Sequence, residues 1–155
     1  MNIRLATKKD KYQVLELHDL FNDYASSLKQ DWDQKPSHFC RDNSGEMYDE
    51  IMNSKNIYIF VAEEKNKLIG FIEVQKISKL RKAKYNGVIE RLFVKEIYRR
   101  KGIASKLMKA VIDWTEKNHL VDLRLYSGYD YKIAHAFYEK LGFVDAGKTY
   151  KLVIF

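Results

Sequence analysis

The sequence predicts a mixed α/β domain: a largely antiparallel, twisted sheet of six to seven strands flanked by about four helices. Three observations carry the prediction. Apolar residues recur at helical spacing in some stretches, and in β-branched runs or strict alternation in others. The two kinds of stretch follow the order strand, helix, helix, three strands, helix, strand, helix, two strands. The chain has 155 residues, 46% of them apolar, which suits a single core. One domain spanning residues 1–155 is therefore expected.

Taken in order, Asn2 to Ala6 reads as a short strand. Thr7 and Asp10 have the spacing of a capping box that opens a helix. Val14, Leu17, Leu20, Phe21 and Tyr24 supply that helix with its apolar stripe. Residues 29–43, KQDWDQKPSHFCRDN, hold the lone proline, Pro36, and read as an irregular loop. Met47, Ile51 and Met52 mark a second helix after Ser44. Ile57 to Ala62 and Leu68 to Ile77 form a hairpin about the turn Lys65-Asn66-Lys67. Val88 to Val94 is the next strand. Gly102 to Asn118 is an amphipathic helix, with Ile103, Leu107, Val111 and Trp114 inward and Lys106, Lys109, Asp113 and Glu116 outward. Val121 to Tyr126 alternates like a half-buried strand. Ile133, Ala134, Phe137, Tyr138 and Leu141 define the last helix, which Gly142 ends. Phe143 to Phe155 reads as a hairpin about Asp145-Ala146-Gly147-Lys148.

Charge narrows the partners. Lys and Arg total 28 against 21 Asp and Glu, a formal charge of +7. That favours an anion: nucleic acid, a membrane surface or a phosphate-bearing small molecule. The positive charge is spread along the chain without a basic tail, the pattern of a solvated surface. Cys40 is the single cysteine, so an intrachain disulfide and a cysteine-based zinc site are excluded. His18, His38, His119 and His135 lack metal-ligand spacing, and no metal is expected. The opening MNIRLATKKDK lacks the apolar core of a signal peptide. The longest apolar run, Ile57 to Ala62, is too short to span a membrane. A reduced, cytoplasmic setting is the expectation.

The informative stretch is RRKGIA, Arg99 to Ala104, between a strand and a helix. A helix N-terminus presents unpaired backbone N–H groups and the positive end of a dipole, and phosphates bind there. Gly102 lets an oxygen come close to the backbone. Cations at this end of a helix mildly destabilise it, so three of them point to a purpose other than helix stability. The stretch is neither GxxxxGK[ST] nor GxGxxG.

A second motif follows in the right order: Ala134, Phe137, Tyr138, Gly142 and Phe143. Together the two stretches, IERLFVKEIYRRKGIASKLMKAVIDW and AHAFYEKLGF, resemble the GNAT superfamily of acetyl-CoA-dependent N-acetyltransferases. The close resemblance runs from Val88 onward. It implies that the anion is the pyrophosphate of coenzyme A. Arg99, Arg100, Lys101, Gly102, Ile103, Ala104 and Ser105 would hold it. The pantetheine arm would lie along Leu92, Phe93 and Val94, beside a splay in the sheet, and Tyr131, Ala134 and Phe137 would complete the cofactor contacts. Glu96 stands where the family often has proline, and Tyr131 replaces the asparagine of the second motif.

The resemblance also implies chemistry. Acyl transfer to an amine needs a proton acceptor, a donor to the carbonyl oxygen and an acid for the departing sulfur. Backbone N–H near Leu92 or Phe93 would serve the oxygen if the strand carries the family's bulge. Tyr138 occupies the position of the acid; on periodicity alone it is a core tyrosine. Glu90, on an unbulged strand, shares a face with Val88, Leu92 and Val94. A carboxylate there is costly unless paired or functional, and burial would raise its pKa toward that of a base. The alternative is a cross-strand ion pair. For a cationic acceptor, Asp31, Trp32, Asp33 and Tyr126 are the candidates, with Tyr129, Asp130 and Tyr131 as a neighbouring cluster.

The expected function is direct transfer of acetyl from acetyl-CoA to a primary amine of a small molecule, polyamine or peptide, in a ternary complex. Two competitors stand beside it. One is a domain that binds coenzyme A without transfer. The other is a basic nucleic-acid binder, which no recognition motif supports. A homodimer through the strand-like KLVIF end is an added expectation.

Overall fold

The computed structural model describes residues 1–27, 43–79 and 84–148. They fall into two compact units, Met1–Arg124 and Leu125–Phe155.

The first unit is built on a sheet with strand order β1-β2-β3-β4-β5. The strands are β1 (Asn2–Leu5), β2 (Ile57–Glu64), β3 (Lys67–Lys79), β4 (Lys84–Val94) and β5 (Leu123–Leu125). Neighbouring pairs from β1 to β4 are antiparallel. Lys65 and Asn66, at φ 49° and 62°, join β2 to β3. Two left-handed residues in a two-residue loop match the twist of the flanking strands. β5 meets β4 through Val121 N–H to the Tyr85 carbonyl and Gly87 N–H to the Asp122 carbonyl, both 2.9 Å. Residue numbers rise together along this pair, so β5 runs parallel to β4 and the sheet is mixed. Helix α3 (Ile103–Lys117) makes the crossover such a pair requires.

β3 holds the core. Leu68 to Val74 are buried without a break, as expected of a central strand covered on both faces. On one face, Phe71 joins Ile59, Val61 and Phe93 beneath Val14 and Leu17 of α1 (Lys11–Ser27) and Tyr48 of α2 (Ser44–Asn53). On the other, Trp114 of α3 packs its ring against Tyr58 at 4.6 Å and Phe60 at 6.3 Å. Each fully buried Phe or Leu of this kind stabilises by about 1.5–3 kcal/mol. The capping box forms as its spacing predicts: Asp10 Oδ2 accepts from the Thr7 N–H at 2.7 Å. It opens a 3₁₀ turn, Lys8–Asp10, ahead of α1. Arg4 grips the same carboxylate with two contacts of 2.8 Å.

The second unit contains α4 (Lys132–Lys140). Gly142, at φ 90°, ends it. Its N–H bonds the Glu139 carbonyl at 2.9 Å, the Phe143 N–H bonds the Tyr138 carbonyl at 3.1 Å, and the Phe143 and Tyr138 rings meet at 5.9 Å. That is a Schellman stop with its apolar contact.

Several expectations need correction. The described residues contain five strands rather than six to seven. Residues 143–148 form no strand: Val144 is 83% exposed, and Asp145 Oδ1 folds back onto the Gly147 N–H at 3.0 Å. The rest of the expected hairpin, including KLVIF, lies outside the described residues, as does Cys40. In α2, Tyr48 is the buried anchor and Met47 is exposed, because Tyr48 Oη reaches the Thr7 carbonyl at 2.7 Å. In α4, Ile133 is 80% exposed, while Ala134, Phe137 and Tyr138 are half-buried.

Candidate active site

At the end of β4 the chain turns through the 3₁₀ segment Glu96–Tyr98 into α3. Arg100 and Gly102 both adopt left-handed backbone, at φ 58° and 75°. A non-glycine residue there costs on the order of 1 kcal/mol. The first ladder bond of α3 comes from Lys106 N–H to the Gly102 carbonyl at 3.1 Å. The amides of Ile103, Ala104 and Ser105 therefore lie ahead of the ladder. No side chain caps this end. A Cβ built on Gly102 would meet nothing within 4 Å, so the backbone faces open space. Arg100 and Lys101 are exposed beside it. Open amides, two cations and a bare glycine fit a phosphate group.

Arg99 is used differently. Its Nε donates to the Val94 carbonyl at 3.0 Å, and its guanidinium lies 4.5 Å over the Tyr24 ring and 5.6 Å from that of Phe93. It ties the loop to β4 and to α1. A cleft of about 360 Å³ opens here, lined by Leu20, Tyr24, Phe93, Lys95, Glu96, Ile97 and Arg99.

β4 carries a bulge. Ile89 faces Val74 and Arg91 faces Glu73, so Glu90 has no opposite residue. An extra residue kinks a strand and frees its peptide from the ladder. β5, counted from its bonds to Tyr85 and Gly87, reaches only as far along β4 as this bulge. The bulge overturns one expectation. Glu90 does not share an apolar stripe; it is exposed. A period-2 reading holds only while every residue has a partner.

The buried carboxylate is instead Glu73, on β3, 4% exposed. Its Oε2 lies 3.4 Å from Arg91 Nη1 and 3.8 Å from His18 Nε2. The His18 ring stacks on Phe71 at 4.3 Å. Burial pushes the Glu73 carboxyl above the ordinary range, against the pull of Arg91, and the charge of Glu90 adds to the rise. Burial, helped by Arg91, lowers His18 to about 4, so its imidazole is neutral at pH 7. Sequence reasoning missed Glu73 and His18. The one available signal was a glutamate inside the unbroken apolar run Leu68 to Val74.

The remaining candidates fall elsewhere. Asp31, Trp32 and Asp33 lie outside the described residues. Tyr126 belongs to the second unit and is 70% exposed. In that unit Tyr131 is the N-cap of α4, and Ala134, Phe137 and Tyr138 follow on one face. The Tyr138 ring lies 5.4 Å from that of Phe137, and burial raises its phenol above the ordinary value. Among the described residues no cluster of His, Cys, Asp and Glu could hold a metal ion, and no helix is long and apolar enough to cross a membrane.

The model of the acetyltransferase (GNAT) family matches residues 15–143. No curated protein matches the chain in sequence. Among solved structures, an aminoglycoside acetyltransferase from an uncultured soil metagenomic sample, in complex with sisomicin, is similar at 22% identity and TM-score 0.77. The match covers 99% of this chain and 95% of that one. The ribosomal-protein-alanine N-acetyltransferase of Brucella melitensis biovar Abortus 2308 gives 17% and 0.74, covering 99% and 100%. A transcriptional regulator from Bacillus halodurans C-125 gives 22% and 0.78, covering 99% of each chain. At these identities the likeness is one of fold.

Proposed function

The chain belongs to the acetyltransferase (GNAT) family, and from that premise we propose that it transfers acetyl from acetyl-CoA to a primary amine, directly, in a ternary complex. The observation that carries the reading is the uncapped N-terminus of α3 behind Arg100, Lys101 and left-handed Gly102. The amides of Ile103, Ala104 and Ser105 would take the pyrophosphate, with Arg100 and Lys101 adding charge and Arg99 holding the loop to β4. Acetyl-CoA supplies an activated acyl group on sulfur. The backbone of Leu92 to Val94 lies past the end of β5, where an extended arm could add strand-like bonds. The peptide freed at the bulge would donate to the carbonyl oxygen. Tyr138 is protonated at neutral pH, as a proton donor to the sulfur must be. Exposed Glu90 would meet the incoming ammonium. Tyr131, Ala134 and Phe137 would complete the cofactor contacts, and Asp31, Trp32, Asp33 and Tyr126 remain candidates for the acceptor. A cytoplasmic setting suits a small-molecule or protein amine.

Calorimetric titration with acetyl-CoA tests the reading, followed by thiol release with a panel of sisomicin, spermidine and a peptide beginning with alanine. Expected are a Kd in the micromolar range, as is common for enzyme ligands, and amine-dependent release. Binding without release by any amine would leave a coenzyme A binding domain. Absence of binding would overturn the family-based assignment of the loop and turn attention to nucleic acid.

A further inference from the structure

We propose that Glu73, held between His18 and Arg91 beneath α1, is the group that takes the proton from the acceptor amine, and that Glu90 serves it from the bulge. The inference rests on the amine-transfer reading above and assigns the base within it.

Two buried carboxylates in the same unit show the contrast. Asp10 is fully engaged: two nitrogens of Arg4 at 2.8 Å and the Thr7 N–H and hydroxyl at 2.7 and 2.8 Å. Its pKa falls to about 2, and it is a lasting anion with a structural task. Glu73 is as well buried, yet its nearest cation stands off at 3.4 Å, beyond good charge-assisted bonding. A buried carboxylate left under-paired is costly in a core and has no packing rationale. It is also what a base near neutral pH requires.

The groups facing Glu73 divide the work. From α1, His18 stacks on Phe71 and brings Nε2 to 3.8 Å from the carboxylate as a neutral ring, so it does not compete as a cation. From β4, Arg91 opposes protonation and Glu90 favours it. From β2, the opposite residue is Ile59, which cannot titrate. Glu90 lies on the bulge between Ile89 and Arg91, where its charge is felt by Glu73. The proton count closes. One proton of R–NH₃⁺ passes to Glu73, and the N–H electron pair stays on nitrogen. The C–N bond forms as the C–S bond breaks. The departing sulfur takes the phenolic proton of Tyr138, the second amine proton restores that phenol, and Glu73 returns its own proton to solvent.

The test is the pH dependence of kcat/KM for the fastest amine of the panel, with wild type, Glu73→Gln, Arg91→Gln and Glu90→Gln. Wild type should show an acid limb set above the ordinary glutamate range. Glu73→Gln should abolish the limb and lower the rate about 100-fold or more, with acetyl-CoA affinity and circular dichroism retained. Arg91→Gln should move the limb up, and Glu90→Gln should move it down. These opposite shifts do not depend on Glu73→Gln folding, and a packing role for Glu73 would produce neither. An acid limb that survives Glu73→Gln but disappears in Glu90→Gln would make Glu90 the base and overturn the inference. Unmoved limbs in both flanking variants would do the same. Wild type that binds acetyl-CoA but acetylates no panel amine fails at the earlier reading, so the two failures are separate.

Discussion

Gly102 allows strain and ligand contact to be measured apart. Its φ of 75° is left-handed, and a Cβ there would touch nothing within 4 Å. Gly102→Ala therefore meets no steric clash in the folded chain and loses only the backbone preference, about 1 kcal/mol. For a chain of this size that lowers Tm by roughly 2–4 °C. Gly147, at φ 125° and with equally open surroundings, lies farther from the αL well and should lose at least as much on Gly147→Ala. Binding should separate them. The added methyl of Gly102→Ala stands where an oxygen approaches the α3 amides. Losing one charge-assisted bond costs about 1.5–3 kcal/mol, or roughly 10- to 100-fold in Kd. Gly102→Asp adds a like charge and should weaken binding further. Calorimetry with acetyl-CoA and parallel melting curves on the three variants provide both quantities. Equal affinity in Gly102→Ala and Gly147→Ala would refute the placement of an anion at this helix end.

Two more predictions follow from the described contacts. Asp10 has its pKa lowered from 3.8 to about 2, so its stabilisation is present above pH 4 and lost as pH falls toward 2. The difference is worth about 2 kcal/mol; Asp10→Asn should flatten the acid side of the Tm-against-pH curve, and an unchanged curve would refute the pairing. Tyr138→Phe should reduce kcat about 100-fold while leaving acetyl-CoA affinity within about twofold; parallel loss of both, read from thiol release and calorimetry, would make the residue a packing element.

Legibility followed locality. The capping box, the helix stop at Gly142 and the Lys65-Asn66 turn are set by neighbours in the chain, and each is readable from residue type. The RRKGIA loop was readable for the same reason, since the glycine and the cations sit together. Glu90 was misread because its environment depends on register with β3, and a single unpaired residue changes which side chains share a face. Glu73 escaped because it becomes notable only when α1 lays His18 beside it and β4 brings Arg91 opposite, contacts 55 and 18 positions away in sequence. Met47 and Tyr48 are neighbours on a short helix, and the groups that receive Tyr48, the core cluster and the Thr7 carbonyl, come from other elements.

The bulge also separates what β4 contributes to the ladder from what it offers outside it. Because Ile89 already opposes Val74 and Arg91 already opposes Glu73, excising Glu90 would leave every other pairing of the ladder as it is. The ladder therefore holds its register on both sides of Glu90 without using it, and the kink and the free peptide that the extra residue brings are local to that one point of β4.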